Sequence, residues 1–319
     1  MIPRDPEKLL EEAQGSSRVA LARLLTYVES GGPLHRLTVA LSYREVAPYV
    51  VGITGPPGAG KSTLTDHLIT TGFGVGDAGE PLGDVAVLCV DPSSPFTGGA
   101  ILGDRIRMQE HATNEHVFIR SMATRGHLGG LSLAVPDALR VLGAAHFPLV
   151  LVETVGVGQM EVEIASAADT TIVVTNPGWG DALQASKAGL LEVADIFVIN
   201  KSDRAGLRET HRDLEQMLDL GGERAWRPPI VETVATLNSG TEAVWVAVNA
   251  HREHLRSHGE LTRRRAARSR NQLDRVLAIE VRSRIEVLTD GQRYDEALAA
   301  VVAGTLDPYQ AADQLLSAV

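Results

Sequence analysis

Residues 49–62 read Tyr49-Val-Val-Gly-Ile-Thr-Gly-Pro-Pro-Gly-Ala-Gly-Lys-Ser62, and this stretch decides the fold. Its first six residues are mostly apolar and β-branched, which predicts a buried strand. The part from Gly55 to Ser62 then matches the pattern G-x-x-x-x-G-K-[S/T] at every fixed position, and a helical pattern follows. Because a glycine-rich loop between a strand and a helix is typical of phosphate binding, the stretch predicts an α/β protein with a phosphorylated ligand.

The residue types in this loop suit a triphosphate. Glycine lets the backbone wrap closely around a phosphate, and the loop N–H groups and the helix N-terminus supply partial positive charge. We expect Lys61 to reach the β- and γ-phosphates and the Ser62 hydroxyl to bind Mg²⁺. The nucleotide contacts predicted in the loop are Gly55, Pro57, Gly58, Ala59, Gly60, Lys61, Ser62 and Thr63. The pattern therefore predicts a Mg²⁺-dependent P-loop nucleoside triphosphatase.

From Tyr49 onward, short β-branched runs alternate with helical stretches. The strand candidates are Tyr49–Thr54, Val85–Val90, Val117–Ser121, Leu149–Val152, Thr170–Thr175, Asp195–Asn200 and Ile230–Ala235. The helical stretches lie near residues 62–71, 104–113, 131–145, 181–193 and 207–220. This alternation predicts a mostly parallel sheet with helices on both faces, in which ligands bind at the carboxyl ends of the strands.

Helical patterns without strands flank this region. Residues 5–45 carry apolar residues at helical spacing, with a break at Gly15–Ser17, and residues from about 241 to 318 are helical in pattern again. An apolar stripe in the second region would let it pack on its own core or pair with a second subunit. Its members are Leu273, Leu277, Val281, Ile285 and Leu288. The predicted parts are an N-terminal helical extension (1–48), a P-loop core (49–238) and a C-terminal helical region (239–319).

Three acidic residues follow apolar strands and are candidates for holding and orienting Mg²⁺. Asp91 ends one strand, Glu153 ends another, and Asp104 lies in the loop after the first. With Lys61 they are the predicted catalytic residues, and with Ser62 they are the predicted metal ligands. The alternative for each acid is a cap on the next helix.

Glu153 also opens the segment Glu153-Thr-Val-Gly156, which follows the D-x-x-G pattern of GTPase switches with Glu in place of Asp. We expect the N–H of Gly156 to donate to the γ-phosphate. Hydrolysis would remove this hydrogen bond, and the segment would then change conformation.

The base-recognition motif is Asn200-Lys201-Ser202-Asp203, which ends an apolar strand. In an N-K-x-D motif the Asp carboxylate accepts hydrogen bonds from N1–H and the 2-amino group of guanine, and adenine lacks both donors. The Lys stem packs along the base, and the Asn ties the loop together. A second base contact is predicted from the backbone at Ala235-Thr236. The motif predicts GTP and GDP as the ligands.

The composition of the 319-residue chain argues against several other classes of protein. The net charge of −10 disfavours nucleic acid or an anionic membrane as the main partner. No stretch reaches the roughly 18 apolar residues of a membrane span, and the acidic N-terminus resembles no targeting signal, so we expect a cytoplasmic location. The single cysteine, Cys89, is expected in the core. The basic run Thr262–Arg270 is typical of a solvated helix face, and contact with an acidic partner or a nucleic acid is the alternative.

Six longer segments, taken together, resemble the MeaB/ArgK family of GTPases, which are chaperones of cobalamin-dependent acyl-CoA mutases. The segments are GPPGAGKST (55–63), DPSSPFTGGAILGDRIRM (91–108), SMATRGHLGGLS (121–132), ETVGVGQMEVEIA (153–165), NPGWGDALQASKAG (176–189) and VINKSD (198–203). The resemblance covers nearly the whole chain. It implies a GTPase core, an N-terminal helical extension and a C-terminal helical dimerisation arm, and therefore a homodimer.

The resemblance also implies a partner, a cobalamin-dependent acyl-CoA mutase whose cofactor loading or protection the GTPase controls. The segment Asn176–Lys187 resembles the family's extra switch, in which Asp181 and Lys187 are the charged residues expected to couple to the partner. Three residues depart from the family pattern. Met160 stands where a small polar residue is usual, and Pro95-Phe96 stands where a Thr-Arg pair is common, which removes a basic residue beside the phosphates.

Three other functions fit the sequence less well. A GTP-driven metallochaperone would need Cys or His ligands outside the nucleotide site, and His251, His254 and His258 do fall near one helical face. An ATP-dependent kinase should favour adenine, against the N-K-x-D motif, and a non-enzymatic scaffold would not need Lys61 with three acids. We expect slow intrinsic hydrolysis, to which Arg105 or Arg125 could contribute in cis.

Overall fold

The computed structural model describes residues 4–72, 83–91, 111, 114–123, 134–154, 160–178, 192–222, 224–289 and 291–317. The chain divides into two compact units, Met1–Arg265 and Ala266–Val319. The predicted three-part division, with boundaries after residues 48 and 238, stays a prediction.

Within the described residues, seven strands form one sheet in which every neighbouring pair is parallel. The strands are β1 (Tyr49–Thr54), β2 (Val85–Asp91), β3 (Val117–Ala123), β4 (Leu149–Thr154), β5 (Thr170–Thr175), β6 (Ile196–Asn200) and β7 (Ile230–Thr233). Their order across the sheet is β3-β2-β4-β1-β5-β6-β7. The predicted parallel α/β sheet is confirmed.

Helices precede, connect and follow these strands. The N-terminal helices are α1 (Pro6–Gln14), α2 (Arg18–Ser30) and α3 (Gly32–Ser42). The helices between strands are α4 (Lys61–Gly72), α5 (Ala134–Ala144), α6 (Met160–Ala167) and α7 (Leu207–Leu220). The last helices are α8 (Thr241–Ser257), α9 (Glu260–Leu288), α10 (Gln292–Val302) and α11 (Pro308–Leu316). The helices predicted near 104–113 and 181–193 lie largely outside the described residues.

The sheet is buried on both faces along its central strands, because side chains alternate along each strand and helices cover both sides. Val50 of β1 belongs to a core shared with α1, α2 and α5. The next residue, Val51, belongs to a core shared with α4 and α8. Gly52 allows α6 to approach closely, since a Cβ at this position would lie 3.1 Å from Cγ1 of Ile164. The predicted helices on both faces are confirmed.

The N-terminal helices pack on α5 and on the edge strand β3. Ser17 begins α2 by accepting a backbone N–H of its first turn at 3.3 Å, which confirms the predicted break at Gly15–Ser17. Arg120 on β3 forms an ion pair with Glu29 on α2. The predicted N-terminal helical extension is confirmed.

The described residues of the second compact unit form helices joined by short turns. Helix α9 begins in the first unit and continues into the second, in which α10 and α11 pack together. Leu273 and Leu277 on α9 are 66% and 58% exposed. Nowhere in the described part of the chain is a helix both long enough and apolar enough to cross a bilayer. The helical C-terminal region is confirmed, and its pairing with a second subunit stays a prediction.

Strand β7 is shorter than the predicted strand Ile230–Ala235. The regular ladder ends at Thr233, and Ala235–Leu237 form a 3₁₀ turn. A side chain is the cause, because the Ala235 N–H donates to Oδ1 of Asn200 at 3.0 Å and not to a neighbouring strand. The prediction of a strand through Ala235 is therefore wrong by two residues.

Candidate nucleotide-binding site

The carboxyl ends of neighbouring strands bring the predicted site residues to one edge of the sheet. The strand order reverses around β1, whose neighbours are β4 and β5, and a ligand crevice opens at such a point in an α/β sheet. Gly55 follows β1, Glu153 lies near the end of β4, and Asn200 ends β6. Residues predicted separately for phosphate, metal and base are thus brought together by the fold.

Two glycines of the phosphate loop are required by both conformation and space. Gly55 has a φ of 137° and Gly60 a φ of 93°, which other residues rarely adopt. A Cβ on Gly55 would lie 2.0 Å from the carbonyl O of Val174. A Cβ on Gly60 would lie 2.3 Å from Nδ2 of Asn200. The loop therefore fits tightly against β5 on one side and against the base motif on the other.

Lys61 begins α4 and is 7% exposed. Its Nζ donates to the carbonyl oxygens of Gly55 at 2.8 Å and Pro56 at 2.9 Å. The ammonium group thus lies against the loop backbone, within reach of a phosphate that the loop would hold. A phosphate oxygen carries a full negative charge and would be a stronger acceptor than either carbonyl.

The Ser62 hydroxyl donates to Oε1 of Glu153 at 2.6 Å, and both side chains are buried. This bond connects the first turn of α4 to β4, the strand beside β1. A hydroxyl and a carboxylate are the hard oxygen donors that Mg²⁺ prefers. The two residues therefore fit the predicted metal site in chemical type and in proximity.

Asp91 ends β2, the strand next to β4. Because Cys89 lies opposite Glu153 in the register, the Asp91 backbone lies two residues further toward the same edge of the sheet. The structure describes the backbone of Asp91 and not its side chain. Among the described side chains, no three His, Cys, Asp or Glu residues converge on a possible metal site. Cys89 itself is buried, as predicted.

Other predicted residues lie outside the described part of the chain. They are Pro95, Phe96, Asp104, Arg105, Arg125, Gly156, Asp181 and Lys187. The backbone of Met160 begins α6, and its side chain is likewise not described. The roles given to these residues stay predictions.

Asn200 connects the base motif to the rest of the site. Its Nδ2 donates to the carbonyl O of Ala59 in the phosphate loop at 2.8 Å. Its Oδ1 accepts from the Ala235 N–H at 3.0 Å and from Oγ1 of Thr233 at 3.2 Å. Asn200 is 2% exposed, so a buried side chain with satisfied polar atoms holds three segments in one arrangement.

Lys201 makes a second connection between the base motif and the phosphate loop. Its Nζ donates to the carbonyl O of Gly58 at 2.6 Å, and its φ of 59° turns the chain sharply after β6. The next residue, Ser202, donates its N–H to Thr233 O at 3.0 Å. The loops after β1, β6 and β7 therefore form one hydrogen-bonded unit.

Asp203 follows Ser202 in the base motif and is exposed to solvent. An exposed carboxylate beside a buried Asn and a fixed Lys can meet the donor edge of a purine. The second predicted base contact involves Ala235 and Thr236. The Ala235 N–H is bound to Asn200, whereas Thr236 is exposed. The predicted contact of this backbone with the base stays a prediction.

The roles of three threonines in the site were not predicted from the sequence. Thr154 Oγ1 donates to Thr54 Oγ1 at 3.2 Å, which connects the ends of β4 and β1 beside Glu153 and Gly55. Thr233 supplies one of the hydrogen bonds that orient Asn200. In the sequence, a threonine stands at the last position of each of three apolar strands. Only the fold shows what these hydroxyls contact.

The three histidines that were candidates for metal ligands differ in their exposure and in their contacts. His251 is fully buried, and its Nδ1 lies 2.8 Å from Oγ1 of Thr170. The Trp226 ring contacts both His251 and His254 in a tilted arrangement, with centroid separations of 4.9 and 5.2 Å. His258 is exposed, and its Nδ1 contacts the carbonyl O of His254 at 2.9 Å. His251 is therefore part of the core.

Similar proteins point to one family. Residues 21–289 match the family described as methylmalonyl-CoA mutase-associated GTPase MeaB. A protein of Pyrococcus abyssi named as a GTPase is 45% identical over 98% of this chain and 96% of its own length. The GTPase ArgK of Escherichia coli is 37% identical over 93% of this chain and 92% of its own length.

Two further similarities concern a fusion and a solved structure. A fused isobutyryl-CoA mutase of Cupriavidus metallidurans is 40% identical over 71% of this chain, which corresponds to 21% of that protein. The crystal structure of an LAO/AO transport system kinase superposes with a TM-score of 0.67, 26% identity and 99% coverage of both chains. The phosphate loop, the N-K-x-D unit and these similarities agree, and the chain belongs to the MeaB family of P-loop GTPases.

Proposed function

We propose that this GTPase is a chaperone of a cobalamin-dependent acyl-CoA mutase of the methylmalonyl-CoA mutase type, and that it controls loading or protection of the mutase cofactor. The observation that carries the proposal is the relative that is itself a fused isobutyryl-CoA mutase. Fusion gives two modules a high effective concentration, as suits partners that act together. The family description, which names a mutase-associated GTPase, supports the same kind of partner.

In the proposed nucleotide complex, the N–H groups of the phosphate loop and Lys61 hold the phosphates. Asp203 accepts hydrogen bonds from guanine, and the Lys201 stem covers the base. Water attacks the γ-phosphorus while Lys61 stabilises the charge that develops on the phosphate oxygens. The hydrogen bonds from Asn200 and Lys201 to the loop support this proposal, because they hold the two parts of the site at one separation.

We propose that Ser62 and Glu153, with Asp91 and Asp104, hold a Mg²⁺ ion. The bound ion would neutralise phosphate charge and orient the phosphates for attack. The Ser62–Glu153 hydrogen bond supports the assignment, because it brings two suitable oxygen donors together at the edge of the phosphate loop.

The proposed switch consists of residues 92–104, 153–166 and 176–187. The γ-phosphate orders these segments, in part through the N–H of Gly156, and Asp181 and Lys187 contact the mutase. Hydrolysis removes the γ-phosphate contact and releases the partner. Intrinsic turnover is slow, and the mutase accelerates it, with Arg105 or Arg125 contributing to charge stabilisation.

We further propose that the protein is a cytoplasmic homodimer that pairs through its C-terminal helical region. The exposed leucines Leu273 and Leu277 support this proposal, because they repeat every four residues on one helix face of the second unit. Apolar side chains at such spacing are normally covered in a functional assembly.

The experiment that tests the partnership is a capture from native lysate on immobilised protein loaded with GDP or with a non-hydrolysable GTP analogue. We expect acyl-CoA mutase subunits in the bound fraction, with recovery that differs between the two nucleotides. GTP turnover should also rise when the purified mutase is added. A Lys61→Ala variant, which should not distinguish the nucleotides, is the control.

Two results would contradict the proposal. One is the recovery of no mutase subunit in either nucleotide state. The other is a turnover rate that is the same with and without the mutase. Stoichiometric nickel or zinc on the purified protein would instead favour the metallochaperone function, against which the buried position of His251 already argues.

A further inference from the structure

At the opposite edge of the sheet, where the strands begin, two aspartates occupy equivalent positions. Asp169 immediately precedes β5 and Asp195 immediately precedes β6. Their side chains are almost fully buried, with residue exposures of 1% and 7%. Burial of a carboxylate costs free energy unless the group is hydrogen-bonded and paired with a cation. We therefore expect both acids to have such partners.

Each aspartate holds the start of the neighbouring strand in the same way. The Asp169 N–H donates to Val50 O at 2.8 Å, and its Oδ2 accepts from the Val50 N–H at 3.0 Å. The Asp195 N–H donates to Thr171 O at 2.9 Å, and its Oδ2 accepts from the Thr171 N–H at 2.8 Å. Asp169 thus aligns β1 with β5, and Asp195 aligns β5 with β6.

Two successive arginines of α9 bind these carboxylates. Arg265 donates through Nε and Nη2 to the two oxygens of Asp169 at 3.1 and 2.7 Å. Arg264 Nη1 donates to both oxygens of Asp195 at 3.0 and 3.2 Å. The expectation that the run Thr262–Arg270 is a solvated face is therefore wrong for these two residues, whose charges compensate buried acids.

Arg264 and Arg265 supply positive charge to the two buried acids. His251 Nε2 lies 3.3 Å from Oδ1 of Asp195, but burial lowers the pKa of His251 to about 3, so the ring is neutral. Burial also raises the pKa of the Asp195 carboxyl, and Arg264 opposes that effect. Without Arg264, Asp195 would lose its paired positive charge and would take up a proton or water.

The three strands held at this edge end in the nucleotide site. Strand β1 runs from the Asp169 contact to Gly55, and β5 runs from the Asp195 contact to Val174, whose carbonyl O packs against Gly55. Strand β6 runs from Asp195 to Asn200. Each strand spans about 17–20 Å at roughly 3.3 Å per residue and is hydrogen-bonded on both sides, so a shift at one end is carried to the other.

We propose that the Asp169–Arg265 and Asp195–Arg264 pairs are positioning pairs for the nucleotide site. The first pair positions the phosphate loop through β1, and the second positions the base motif through β5 and β6. The proposal goes beyond the mutase partnership and does not depend on it, because it concerns nucleotide binding by the GTPase alone.

The test compares Arg265→Met and Arg264→Met with Arg263→Met. Methionine keeps much of the apolar stem and removes the charge. Arg263 is the matched control, because it precedes these residues on the same helix, its side chain is 69% exposed, and its partner Glu260 is 3.7 Å away. The dissociation constants of GDP and IDP are measured by titration calorimetry at a temperature at which circular dichroism shows each variant folded.

The expected results differ between the two pairs. Arg265→Met should weaken GDP and IDP about equally, by about 3- to 10-fold. Arg264→Met should weaken GDP more than IDP, so that the GDP preference falls by about 3-fold or more, because IDP lacks the 2-amino group that Asp203 is proposed to bind. Arg263→Met should leave both constants within about 2-fold of the unmodified protein.

A milder pair of variants keeps the test decisive if an arginine variant does not fold. Asp169→Asn and Asp195→Asn remove the buried charge and leave a side-chain oxygen for the strand N–H. The same split between GDP and IDP is expected, at smaller size. Folded variants of either kind that bind both nucleotides like the unmodified protein would overturn the proposal, as would a loss of thermal stability with an unchanged GDP-to-IDP ratio in Arg264→Met and Asp195→Asn.

Discussion

At the scale of single residues, Gly60 and Asn200 depend on each other. The missing side chain of Gly60 leaves the space in which Asn200 Nδ2 reaches Ala59 O. Asn200 in turn accepts hydrogen bonds from Thr233 and Ala235. One absent Cβ therefore allows the phosphate and base loops to meet.

Substitution of Gly60 tests this contact. In Gly60→Ala, the new Cβ would displace Asn200 in a backbone conformation that alanine rarely adopts, and overpacking of this kind costs about 1–3 kcal/mol. We expect GDP affinity to fall by roughly 10- to 100-fold, measured by titration calorimetry. Gly222→Ala is the control, since its φ of 75° is similar but, apart from its chain neighbours, no described residue has an atom within 4 Å of its Cβ position. Equal losses in both variants would show that backbone strain alone explains the effect.

Substitution of Asp203 tests base recognition. Asp203→Asn replaces a carboxylate acceptor by an amide, and hydrogen bonds to a charged group contribute about 1.5–3 kcal/mol. The preference for GTP over ATP should therefore fall by roughly 10- to 150-fold, as measured by competition binding. Glu209→Gln, an exposed acid on α7, should preserve the preference. Comparable affinity of the unmodified protein for ATP and GTP would refute the assignment of Asp203.

At the scale of elements, α8 contributes a buried histidine to the sheet edge opposite the nucleotide site. Its ring lies near Asp195 and Asp169, with Arg264 and His254 also close enough to affect its charge. Burial is the main reason that the pKa of His251 falls to about 3 in the folded protein. Acid should therefore weaken the packing of α8 on the sheet.

The sign of this effect follows from linkage. At about pH 7.5 and above, roughly one unit over the unfolded pKa of 6.5, the ring is neutral in both the folded and unfolded states, and its full contribution is present. As pH falls from 6.5 toward 3, the unfolded state binds the proton first, so the free energy of unfolding decreases by up to about 1.4 kcal/mol per pH unit from this group. Urea unfolding at pH 7.5, 6.5 and 5.5 measures the slope.

The comparison variant for this slope is His251→Asn, which should lose the part of the pH dependence that His251 causes. His258→Asn, which changes an exposed ring on the same stretch of chain, should keep it. Identical slopes in His251→Asn and the unmodified protein would exclude His251 as the titrating group.

At the scale of the whole molecule, the C-terminal helices leave apolar side chains uncovered. Leu273 and Leu277 contact solvent in the single chain. The proposed dimer would bury them, and burial of apolar surface is the main favourable term in such association. The double variant Leu273→Gln/Leu277→Gln should therefore elute as a monomer in size-exclusion chromatography with light scattering.

The same variant should keep its GDP affinity, because neither residue lies in the unit that contains the nucleotide site. Val246→Gln, which changes an exposed valine on α8, should leave the oligomeric state unchanged. A monomeric unmodified protein at micromolar concentration would contradict the dimer proposal.

The sequence by itself determined the elements and the main site residues. Alternation of apolar runs with helical stretches predicted the parallel sheet, because strand and helix periodicities are local properties of the chain. The loop Gly55–Ser62 and the motif Asn200–Asp203 predicted phosphate and guanine binding, since their chemistry depends on residue type and spacing within a few positions. These local patterns were also enough to suggest the MeaB family.

Only the tertiary structure decided which distant residues meet. It brought Thr233 and Ala235 to Asn200, and it placed Arg264 and Arg265 on acids that precede β6 and β5. In sequence these arginines belong to an ordinary basic run. Long-range contacts of this kind depend on strand order and helix packing, which local periodicity does not encode, and for that reason the second edge of the sheet could not be predicted from the sequence alone.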